Sequence, residues 1–145
     1  MSSYFEREDE LEAIVRGLEM CSTGIDDFPH RHHLVVATWY LNNSTVPEAL
    51  SKMRNSILSF LKHHGITGKY NETITLFWII MVENRLKELA AGTSLVGRTN
   101  AVIETLGDSR LMFEYYSKEL LWSEKAISGW VHPDLKILET GYINR

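Results

Sequence analysis

Two segments of this chain are apolar almost all the way round, and they constrain its fold more than any other feature. The first is Phe28-Pro29-His30-Arg31-His32-His33-Leu34-Val35-Val36-Ala37-Thr38-Trp39-Tyr40-Leu41. The second opens at Tyr70-Asn71-Glu72-Thr73 and continues through Ile74-Thr75-Leu76-Phe77-Trp78-Ile79-Ile80-Met81-Val82. Proline in a first turn lacks only an amide that would have no intrahelical partner there, which places a helix over about 28–41. Asn71 as a cap and Gly92 as a stop bound a second helix over about 71–91. A helix with no polar face must be buried on several sides. These two are therefore expected at the centre of an all-α bundle, with the other helices wrapped around them.

The remaining helices are amphipathic or short. Phe5, Leu11, Ile14, Val15, Leu18 and Cys21 recur with a helical period over about 4–21, and Glu6, Glu8, Asp9 and Glu10 suit the start of a helix dipole. Thr45-Val46-Pro47-Glu48 reads as a capping box that opens a helix over about 46–64, which Gly65 closes. Weaker patterns place helices over about 95–106, 109–121 (after Asp108) and 124–130 (after Ser123). Pro133 disfavours helix at His132, so 131–145 is expected to be extended. No period-2 run, internal repeat or linker interrupts the pattern. The expectation is one all-α domain over 1–145, a bundle of five to seven helices.

At 145 residues the chain is long enough to bury a core without cross-links. A net charge of -4 without any Lys/Arg cluster gives no footprint for nucleic acid or an anionic membrane surface. The longest apolar run, about nine residues, falls short of the roughly 20 that cross a bilayer. A single cysteine, Cys21, leaves no internal disulfide. The start of the chain is acidic and polar, unlike a signal peptide. A soluble, cytoplasmic protein is expected.

Helical spacing selects among the six histidines. His30 and His33 are i, i+3 and share a face that continues through Ala37 and Leu41, whereas His32 points elsewhere. Short loops imply antiparallel neighbours. The starts of the 28–41 and 71–91 helices then lie at the same end of the bundle as the finish of the 46–64 helix. That end would collect His30, His33, His64, Tyr70 and Glu72. Imidazoles with a carboxylate suit a divalent transition metal, whether zinc, iron, copper or manganese. In that reading His30, His33 and His64 are metal ligands, Glu72 is a further ligand or a general base, and Tyr70 positions or protonates a small-molecule substrate. The same residues have plainer uses: histidines satisfied by backbone carbonyls, and Glu72 complementing a helix dipole. The competing expectation is a non-catalytic interaction module. In it the His/Glu cluster is a structural hydrogen-bond network, and Phe113, Tyr115, Tyr116, Trp122 and Trp130 form a homodimer interface.

Three blocks of the chain resemble a family of small bacterial all-helical proteins of unassigned function. They are Phe28-x-His30-x-x-His33-Leu34 with Trp39-Tyr40-Leu41, then Gly68-x-Tyr70-Asn71-Glu72-Thr73-Ile74-Thr75 with Trp78, then Tyr115-Tyr116-Ser117 with Trp130-x-x-Pro133-Asp134-Leu135. The resemblance implies no reaction. It implies that polar residues at two helix starts matter as much as the core. Its second block usually reads Tyr-His-Glu-Thr, so Asn71 replaces a histidine that would be a candidate ligand.

Overall fold

The computed structural model describes residues 4–139. Among these residues seven α-helices run in order: α1 Glu8–Glu19, α2 His30–Leu41, α3 Val46–His63, α4 Glu72–Lys87, α5 Leu95–Leu106, α6 Lys118–Leu121 and α7 Glu124–Ser128. Short 3-10 turns cover Ile25–Asp27 and Ser109–Glu114. Among the described residues there is no strand, and no helix is long and apolar enough to cross a membrane.

The two apolar helices do form the centre. α2 packs against α1, α3, α4 and α5, while α4 packs against α2, α3, α5 and α7. Leu34, Val36, Phe77, Ile80 and Val82 are wholly enclosed. The Thr45 box closes as its residues require: the Thr45 hydroxyl accepts the Glu48 amide, and the Glu48 carboxylate accepts the Thr45 amide. Gly65, at φ +69°, ends α3 in the left-handed conformation that favours glycine.

Three boundaries differ most from the sequence pattern, two of them for a tertiary reason. α1 starts at Glu8 rather than near residue 4. Asn100 of α5 accepts the Tyr4 and Phe5 amides and donates to the Phe5 carbonyl, which holds that backbone out of the helix. α4 ends at Lys87, and the chain to Gly92 forms turns. The helix expected over 109–121 is broken into the 3-10 turn and α6. There the Tyr115 carbonyl accepts the Leu135 amide, and Asp134 accepts the Ser117 amide. Ser117 then caps α6 through the Leu120 amide. Residues 131–139 carry neither helix nor strand, with bends over 134–136, and 140–145 of the expected extended tail lie outside the described residues.

Candidate functional site

The antiparallel order brings the starts of α2 and α4 to one end, and a cavity of about 350 Å³ lies between them. Its body is apolar: Ala37 of α2, Met53 and Ile57 of α3, Ile74, Trp78 and Ile79 of α4, with Met112 from the 3-10 turn. Its polar lining is His30, His33, Lys69, Tyr70 and Asn71, with Thr75 and Ser109. Cavities of this size and character are where proteins take small molecules.

The polar residues divide by whether the fold already uses them. The His30 Nε2–H donates to the Leu106 carbonyl at 3.0 Å, which caps the C-terminus of α5. Its ring lies 4.4 Å from that of Trp78, centroid to centroid. Burial lowers the His30 pKa, against the opposing pull of the Leu106 carbonyl and Asp108. The Asn71 carbonyl oxygen of the side chain accepts the Ile74 amide, which caps α4, while its Nδ2–H donates to the Leu121 carbonyl at 2.8 Å. Tyr70 donates its hydroxyl to Glu72 Oε1 at 2.6 Å.

Glu72 is not part of the lining. Arg54 of α3 grips both its oxygens, Nε to Oε1 at 3.0 Å and Nη2 to Oε2. Burial would raise the Glu72 pKa, but Arg54 and Tyr70 together outweigh it and hold the carboxyl below its ordinary value. Burial and the Glu72 bond push the Tyr70 phenol up, so it stays protonated.

His33 is different. It lines the cavity and keeps some accessible surface there. Its ring packs edge-on against Phe28 at 4.6 Å. Among the described residues neither ring nitrogen has a hydrogen-bond partner. Burial, followed by the neighbouring His30 and His32, drops its pKa to about 4. At neutral pH the ring is therefore uncharged, with one N–H donor and one lone pair to offer.

Of the five residues expected at this end, the cavity brings together His30, His33 and Tyr70. Glu72 reaches it only through Tyr70. His64 is not in the lining: its Nε2–H donates to the Thr23 carbonyl at 3.1 Å and its ring packs on Phe60. Among the described residues, no three His, Cys, Asp or Glu side chains come together in a way that could hold a metal ion. His32 sits edge-on to Phe28, and Cys21 is only partly buried. Sequence reasoning missed Trp78, Met112 and Lys69 as lining. Trp78 follows His30 only across the helix pair, and Lys69 stood in what read as a plain loop.

The aromatic set of the last third is split as well. Tyr116 is fully enclosed and donates its hydroxyl to the Val131 carbonyl. Tyr115 packs on Phe77 and Trp130 on Tyr116. Phe113 and Trp122 remain exposed. The second and third sequence blocks meet here: the Thr73 hydroxyl donates to the Gly129 carbonyl and accepts the Val131 amide. No protein-family model, curated protein or solved structure matches the chain.

Proposed function

We propose that this protein binds a small organic molecule in the cavity between α2, α3 and α4. One observation carries the reading. His33 is a half-buried, neutral imidazole that lines an apolar cavity, and its ring has no hydrogen-bond partner among the described residues. An uncharged imidazole at the wall of an apolar cavity offers a ligand one hydrogen bond, worth roughly 0.5–1.5 kcal/mol net. His30, Tyr70, Asn71 and Thr75 are already engaged, so they shape the wall, and His33 supplies a directional contact inside it. Glu72 is a positioning residue in this scheme. Its ion pair with Arg54 fixes the carboxylate, which fixes the Tyr70 phenol. A transition metal would be met by the His30 and His33 pair without any Asp or Glu in the lining, so the donor set favours the organic ligand.

The reading is tested by calorimetric titration with 2-naphthylmethanol, a neutral probe matched to the cavity. Wild-type protein should bind it. Ala37→Leu, which puts bulk into the cavity wall, should abolish binding with the helical circular dichroism intact, and His33→Leu should weaken it about tenfold. Equal binding by wild type and both folded variants would refute the site, as would failure of this probe together with its acid, amine and octyl counterparts.

A further inference from the structure

The cavity also carries a charge preference, which rests on reading it as a ligand site. Lys69 lines it and is exposed at its edge. Among the described residues the Lys69 ammonium has no ion-pair or hydrogen-bond partner. No Asp or Glu lines the cavity, and neither does any arginine. The nearby acids are already neutralised. Glu72 is held by Arg54. Asp108, whose charge reaches His30, is clasped by Arg110 at 3.0 and 2.9 Å. The starts of two full-length helices, α2 and α4, contribute His30, His33 and Asn71 to the same lining. Their dipoles place partial positive charge at this end.

We infer that the ligand is a small monocarboxylate with an apolar body: its carboxylate pairs with Lys69 at the mouth, its body lies against Trp78, Ile57 and Met112, and His33 makes one hydrogen bond to it. The single ammonium and the absence of arginine in the lining match one negative charge rather than a phosphate dianion, which is characteristically met by forked guanidinium donors. Neutral His33 completes the pattern, because it offers a hydrogen bond without adding a second positive charge. At roughly 30 Å³ for each water-sized atom, a cavity of about 350 Å³ takes roughly a dozen non-hydrogen atoms. Medium-chain aliphatic acids and bicyclic aromatic acids fall in this range.

The test compares matched probes by calorimetry on the intact protein at pH 7.5 and low salt. Octanoate is set against 1-octanol and octylammonium, and 2-naphthoate against 2-naphthylmethanol and 2-naphthylmethylammonium. The acid of at least one series should bind about tenfold tighter than its alcohol, with the amine weakest. Lys69→Gln should bring that acid down to the affinity of its alcohol and leave the alcohol unchanged. Alcohols that bind as tightly as the acids would overturn the carboxylate assignment while leaving the binding site standing. An acid preference that survives Lys69→Gln would overturn it in the same way. Failure of all six probes to bind would overturn both the assignment and the binding function.

Discussion

His33 and Asn71 make an instructive pair. Both are polar residues at the start of a central helix, and both line the same cavity. Asn71 is 3% exposed and spends its side chain in two directions, on the Ile74 amide within its own helix and on the Leu121 carbonyl from a distant segment. The His33 side chain makes no hydrogen bond to the described protein. A saturated polar residue beside a cavity holds the wall in place. An unsaturated one leaves a valence for something else. The Asn71 side chain therefore belongs to the fold, and His33 to the site.

The largest effect should come from the saturated partner. Asn71→Leu removes the α4 cap and strands the Leu121 carbonyl, and should cost about 3–4 kcal/mol in urea denaturation. Asn71→Asp keeps the cap but loses the donor, so it should fall in between. A loss under about 1 kcal/mol for Asn71→Leu would break the contrast.

His33 should instead show itself through pH. Its folded pKa of about 4 lies below the ordinary 6.5, so the unfolded chain binds a proton through that interval and the folded one does not. The sign follows: stability is undiminished above about 6.5 and falls by about 3 kcal/mol as pH drops to about 4. His33→Leu should be nearly as stable as wild type at pH 7.5 and should lose most of that slope. His30 and His32, also lowered by burial, keep a smaller part of it. A wild-type slope unchanged in the variant would show that His33 is already partnered.

Arg54→Met tests the polar cluster behind Tyr70. It leaves the Glu72 carboxylate partly buried without its ion pair, at a cost of about 2 kcal/mol. Burial is then less opposed, so the Glu72 carboxyl should titrate higher in an NMR pH series. In wild type the carboxyl is held below its ordinary value, so this pair stabilises the fold above the usual carboxylate range and is lost as pH falls through the folded pKa. The smallest effect belongs to Lys69→Gln. Without a partner to lose, it should move the thermal midpoint by no more than about 0.5 kcal/mol equivalent. A larger loss would mean that Lys69 serves the fold, as Asn71 does.

Much of the architecture was legible because its signals are local. Thr45 with Glu48, Asn71 and Ser123 all cap the helices that follow them. The apolar surrounds of α2 and α4 put them at the centre for the same reason: an element with no polar face has nowhere else to go. The failures are non-local. Nothing near residue 112 says that Asp134 and Leu135 will take the amide and carbonyl that a continuous helix would have used. Nothing near Tyr4 says that Asn100 will hold it.

The candidate site shows the same division more sharply. The chain by itself determined that His30 and His33 share a face, that His32 does not, and that the starts of α2 and α4 lie together. These follow from the helical repeat and from short connections. Only the tertiary structure decided which of the two histidines is free. They are the same residue type in the same turn, yet His30 meets a helix-end carbonyl 76 positions away and His33 meets a cavity. Hydrogen-bond satisfaction is a property of what the folded chain places beside a group, so no local pattern around either histidine could have told them apart.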